Sequence, residues 1–117
     1  MTETVTWKDF MKIDMRVGTI IKIEDFQGAK IPAYKLEIDF GTVLGTKKSS
    51  ARLTKNYKKE DLIGRQVICI VNFPKKQIAN FFSEVLVMGV YAGSDDNVIL
   101  LNAEDKFRKN LYCLEIR

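Results

Sequence analysis

Between residues 34 and 40 apolar and polar side chains alternate without a break, with Tyr34, Leu36, Ile38 and Phe40 on one side and Lys35, Glu37 and Asp39 on the other. A period of two predicts a strand with one buried face, and Gly41 closes it. Arg16 to Ile23 is rich in β-branched residues and reads as an earlier strand, with Gly18 permitting a bend or bulge. Residues 28–33, GAKIPA, read as the loop between them. Thr46 to Leu53 reads as a weaker, more polar strand. Arg65 to Phe73 holds the apolar run VICIV, long enough for a strand buried on both faces. Pro74 lacks an N–H and ends that ladder. Glu84 to Ala92 reads as one further strand. Gly93-Ser94-Asp95-Asp96-Asn97 is turn chemistry, and Val98 to Leu101 returns as the hairpin partner.

Two short helices complete the pattern. Thr6-Trp7-Lys8-Asp9 carries a helix-start signal: Thr6 caps the first turn, and Asp9 sits at its positive end. Trp7, Phe10 and Met11 then fall on one side, a stripe that either covers one end of the core or faces a partner subunit. Thr54 to Leu62 suits one or two helical turns, stopped by Gly64. Short strands with one helix between the third and fourth follow the order of an OB-fold. The expected class is therefore all-β: a five-stranded OB-fold barrel with a short N-terminal helix, a short helix between strands 3 and 4, and an extra C-terminal strand or hairpin. Periodicity alone fits an SH3-like barrel or a small sandwich almost as well. No repeat, low-complexity segment or linker interrupts the 117 residues, so a single domain is expected over 1–117.

Composition narrows the function classes. With 46% hydrophobic and 29% charged residues the chain has the make-up of an ordinary globular protein. It has no histidine and only Cys69 and Cys113, both in apolar surroundings and read as reduced core thiols. Histidine-based acid–base chemistry and the usual zinc sites are thereby excluded, and Gly41 and Gly45 do not make a phosphate loop. No enzyme activity, metal or cofactor is expected. The N-terminal stretch is not a signal peptide, no apolar run approaches a membrane span, and a cytoplasmic location is expected.

Net charge is +4, but residues 30–76 hold eleven Lys/Arg against Glu37, Asp39, Glu60 and Asp61, a local balance of +7. A basic middle between mildly acidic flanks is a patch that attracts polyanions, or a lysine-rich surface that keeps the protein soluble.

Four stretches read together: DMRVGTI (14–20), AYKLEIDFG (33–41), KKSSARLTKNY (47–57) and GRQVICIVNFPKKQIANFFSEVLVMG (64–89). They resemble the tRNA-binding domain family found at the C-terminus of methionyl-tRNA synthetases and in free-standing dimeric proteins. Among these they look most like the stand-alone CsaA-type branch, described as export-associated chaperones. The resemblance implies an OB barrel, a homodimer joined partly through terminal segments, and no catalysis. It places the family's Asp-x-Arg-Val-Gly on Asp14-Met15-Arg16-Val17-Gly18 and its Lys-Leu on Lys35-Leu36. Asn72 matches the asparagine that ends the fourth strand and Ser83 the serine that opens the fifth. Phe73 to Ile78 and Phe81-Phe82 follow the CsaA-type bridge. The ending FRKNLYCLEIR is longer than that branch leads one to expect.

The candidate contact residues follow. Lys75 and Lys76, with Lys35, Lys47, Lys48 and Arg52, are read as phosphate contacts at the mouth of the barrel, or as solvated lysines. One of Phe81 and Phe82 plugs the barrel, while an exposed one stacks a base, anchors an apolar peptide side chain, or joins the dimer seam. Asn72, Gln77 and Ser83 read a base edge or satisfy backbone groups, and Ser49-Ser50 lie on a binding strand or a plain edge. Trp7, Phe10 and Met11 are the expected dimer contact. The expected partner is tRNA or another structured RNA; an unfolded or exported polypeptide in the same groove is the alternative.

Overall fold

The computed structural model describes residues 3–104. Cys113 and the ending FRKNLYCLEIR lie outside the described residues. A five-stranded antiparallel sheet runs in the order β3-β2-β1-β4-β7, from β1 (Met15–Asp25), β2 (Tyr34–Asp39), β3 (Thr46–Ala51), β4 (Gln66–Ile70) and β7 (Leu86–Val87). Two hairpins flank it: β5 (Lys76–Ile78) with β6 (Phe81–Ser83), and β8 (Gly89–Tyr91) with β9 (Val98–Leu100). Short helices α1 (Trp7–Phe10) and α2 (Lys59–Leu62) precede β1 and β4. The sheet curls into a nearly closed barrel, as the OB-fold reading required.

β1 serves two neighbours. Residues 15–19 pair with β4 and residues 19–25 with β2, and the register shifts between Ile20 and Lys22. The bulge thus falls beyond Gly18, not at it. Gly18 is there for space: a Cβ would lie 2.5 Å from Ile38 Cγ2 and 2.7 Å from Phe40 Cε1. Ile20, Leu36, Ile38, Leu62, Val67 and Cys69 form the buried centre, which explains the unbroken apolar run of β4 and the alternation of β2.

The chain seals the barrel where β3 meets residues 83–85. The Glu84 N–H donates to the Lys48 carbonyl at 2.8 Å, and the Lys48 N–H donates to Glu84 Oε1 at 3.0 Å. Next to them the Ser50 N–H donates to Ser83 Oγ at 3.1 Å, and the Ser49 hydroxyl donates to the Val85 carbonyl at 3.0 Å. Side-chain oxygens from Ser83 and Glu84 stand in for ladder acceptors along this seam.

Two expectations change. The single strand read over Glu84–Ala92 is divided, because Met88 changes partners: its N–H donates to Ile68 O at 2.8 Å while its carbonyl accepts from Leu101 N–H at 3.1 Å. The chain leaves the barrel there for the β8–β9 hairpin. The bridge after Pro74 is itself a hairpin, turned at Ala79, whose φ of 53° is a left-handed value that glycine usually supplies. It carried no glycine signal, so sequence alone left it a loop.

The Thr6 cap forms, with Oγ1 accepting from the Asp9 N–H at 3.1 Å. The apolar stripe does not cover the core: Trp7, Phe10 and Met11 are 37%, 39% and 50% exposed. Asn72 ties this N-terminal segment down, accepting from the Asp14 N–H at 3.0 Å and donating to Lys12 O at 2.6 Å. Asp14 grips Arg16 with both carboxylate oxygens, at 3.0 and 3.1 Å, which raises the guanidinium pKa above its ordinary value.

Replacing Gly18 with alanine drives a methyl group into Ile38 and Phe40. We expect Gly18→Ala to lower stability by about 1–3 kcal/mol, read as a fall in the urea midpoint at unchanged slope.

Candidate binding surface

The seam gathers lysines because of its register. Lys35 is paired with Ser50, Ser50 is bonded to Ser83, and Ser83 is paired with Lys76. In the adjacent row Glu37 is paired with Lys48, Lys48 is bonded to Glu84, and the Lys75 ammonium lies 3.7 Å from Glu84 Oε2. Leu36 and Ser49 point inward, so Lys35, Lys48 and Ser50 stand on the outer face. Four lysines therefore lie within a band four strands wide, roughly 14 Å at ordinary strand spacing. Lys35 is held in place by aromatics, with its ammonium 5.1 Å from the Phe26 ring centre and 5.5 Å from that of Phe81. Phe26 and Phe81 meet edge to face at 5.4 Å.

Beside this band opens a cleft of about 840 Å³. One wall is the loop around Lys30 and Ile31, another the β5–β6 hairpin, and the far wall comes from β7, β8 and β9. Among the described residues the lining is chiefly aliphatic, with Lys30, Arg52 and Lys76 as its cations. Among the described residues none of these three has a carboxylate partner, whereas Lys12, Lys22, Lys55, Lys59 and Lys75 each face one.

Comparison with known proteins places this geometry. The family model described as "Putative tRNA binding domain" matches residues 15–109. The chain belongs to the tRNA-binding domain family. It is similar to the CsaA chaperone protein of Picrophilus torridus, at 54% identity and TM-score 0.82, over 86% of this chain and 92% of that one. It is also similar to the chaperone CsaA of Bacillus anthracis, at 43% identity and TM-score 0.86, over 96% and 100% of the two chains. The methionine–tRNA ligase of Thermococcus onnurineus is 34% identical over 99 residues, which are 85% of this chain but only 13% of that enzyme. The chain thus spans about an eighth of the curated relatives it matches.

Against this family frame the expected contact residues separate into groups. Lys35, Lys48, Lys75 and Lys76 are brought to the seam by strand register and pairing. Ser50, Arg52, Lys76, Gln77 and Ser83 line the cleft. Lys47 is half-buried and points to the inner side with Ser49, so it is not part of the band. Ser49 is fully buried and its hydroxyl is engaged by Val85, which removes it as a contact residue. Asn72 is exposed but engaged at both ends of its amide by Lys12 and Asp14, so it is a clamp and not a reader of bases. Phe81 backs Phe26 behind the wall, while Phe82 is 52% exposed; neither lines the cleft, so the aromatic groove expected here is not formed by this pair.

Sequence reading missed Lys30, Ile31 and Tyr91. All three line the cleft. The signal for the first two was present, a cation beside an apolar residue within a loop that needed neither to turn.

Loss of the Ser49 hydroxyl should loosen the seam. Ser49→Ala is expected to cost about 1 kcal/mol and to speed hydrogen exchange at the Ser50 and Glu84 amides. Unchanged exchange at both would show that the seam does not depend on Ser49.

Proposed function

We propose that this chain is a non-enzymatic RNA-binding protein that holds tRNA on the seam through Lys35, Lys48, Lys75 and Lys76. The carrying observation is that Lys35 and Lys48 stand on the outer face of β2 and β3, with Lys75 and Lys76 across the seam from them, in a domain whose family is named for tRNA binding. Similarity to a segment of methionine–tRNA ligases supports the same partner. The mechanism is electrostatic: lysines replace condensed counterions along the phosphate backbone, while the rigid barrel sets their spacing and thereby favours RNA shape over sequence. No acid–base residue or cofactor enters. Among the described residues no helix is long and apolar enough to cross a membrane.

With four phosphate contacts the log–log salt slope is about −3, a loss of roughly sixtyfold in affinity between 50 and 200 mM salt. Lys48→Glu combined with Lys75→Gln should weaken tRNA retention at low salt and reduce the slope to about −1.5. Filter binding across a salt series tests this, and an unchanged slope in the folded variant refutes the seam as the RNA site.

The aliphatic cleft favours a second reading, an extended polypeptide held as a chaperone holds its client. The named function of the two CsaA proteins supports it.

The protein acts as a homodimer in either reading, with Trp7, Phe10 and Met11 as the contact. Val5 and Ile13 extend that exposed apolar stripe. Light scattering at micromolar concentration should give twice the chain mass, and Trp7→Glu should halve it; a monomeric mass for the unaltered protein rules the dimer out.

A further inference from the structure

The seam and the cleft differ in what surrounds their cations. On the seam Lys75 faces Glu84 and Lys35 lies over two rings. Among the described residues Lys30, Arg52 and Lys76 meet no acidic side chain in the cleft, for no Asp or Glu of residues 3–104 lines it. The chain carries 15 Asp and Glu against 19 Lys and Arg, so an unselected surface would show nearly as many acids as bases. The walls between these cations are aliphatic, including Ile31, Leu53, Ile78, Val87 and Met88.

This combination discriminates between occupants. A site for unstacked bases needs open aromatic faces. Among the described aromatic residues lining the cleft, Phe26 is buried and Tyr91 is exposed. Aliphatic walls suit aliphatic side chains, and a cleft of about 840 Å³ lies within the range of roughly 300–1,000 Å³ that encloses a ligand. Three cations without carboxylate partners add a sign. They attract carboxylates at the ends of an apolar segment and repel ammonium groups there, so they select as well as bind.

We propose that the cleft binds an extended polypeptide segment whose aliphatic residues are flanked by acidic ones, with the flanking carboxylates on Lys30, Arg52 and Lys76. This rests on the polypeptide reading given above; Lys76 is shared with the proposed RNA seam, whereas Lys30 and Arg52 belong to the cleft alone. Apolar segments flanked by lysine or arginine are rejected at the same rim, although their aliphatic centre fits.

Three fluorescein-labelled peptides sharing one Val/Leu/Ile/Ala centre, flanked by aspartates, serines or lysines, test it by anisotropy on the full chain. The aspartate-flanked peptide should bind at least about tenfold more tightly than the lysine-flanked one at low salt, with the serine-flanked one between them. The ranking should collapse at about 0.5 M salt, where screening acts within roughly 4 Å, while the aliphatic contribution persists. Lys30→Glu with Arg52→Glu should reverse the ranking, and Ile31→Ser should weaken all three peptides alike.

If all three bind equally, or the double variant leaves the ranking intact, the proposed charge selection is overturned while the polypeptide reading stands. Failure of every peptide to bind overturns both. If no peptide binds but an unstructured RNA oligomer does, and Lys30→Glu with Arg52→Glu abolishes it, the cleft is a nucleic-acid site and the proposal is wrong.

Discussion

The whole arrangement depends on how the barrel is closed. A curled sheet must satisfy the N–H and C=O groups of its last edge, and here β3 meets residues that are only partly a strand. Ser83 and Glu84 supply side-chain oxygens where ladder carbonyls are missing, and Ser49 reaches the Val85 carbonyl from inside. Because the seam is made by the last residue of β6 and the two that follow it, it also fixes the β5–β6 hairpin against β3. That hairpin brings Lys75 and Lys76 across from Lys48 and Lys35, and it raises one wall of the cleft. Closure and ligand surface are therefore one construction. A residue such as Ser83 cannot be assigned wholly to either.

Much of this was legible because period and burial agree. The alternation from Tyr34 to Phe40 and the run around Cys69 both describe positions with one or two buried faces, and the strands lie there. The turn at 93–97 was marked by its Gly, Ser, Asp and Asn residues, and Asn97 closes it by donating to Ala92 O. The hairpin at 76–83 was illegible because an alanine occupies the left-handed position that usually announces a turn. The division at Met88 depends on partners far away in sequence, Ile68 and Leu101, which no local pattern encodes.

The candidate residues were legible as a set and not one by one. Charge density pointed to the stretch that holds the seam lysines, but pairing decides which cations remain available, and pairing is set by register. Thus Lys75 shares Glu84, while Arg52, a few residues from Ser49, is left facing the cleft. Two polar candidates, Ser49 on a possible binding strand and Asn72 as a reader or a backbone partner, are engaged by the fold, in keeping with the rule that buried or constrained polar groups first satisfy the backbone. A single sequence carries no mark that separates a hydroxyl serving the chain from one offered to a ligand.

Tyr57 has a consequence for how the molecule is born. Its phenolic oxygen accepts the Leu100 N–H at 3.1 Å, its carbonyl accepts the Tyr34 hydroxyl at 2.8 Å, and Arg65 lies over its ring. Asn56 beside it donates to the Val98 carbonyl. The far wall of the cleft is thus fastened to the middle of the chain by its last described strand. On the ribosome the barrel strands emerge first, and the cleft cannot be complete until residues 98–100 have left the exit tunnel, so an unfinished copy lacks its far wall.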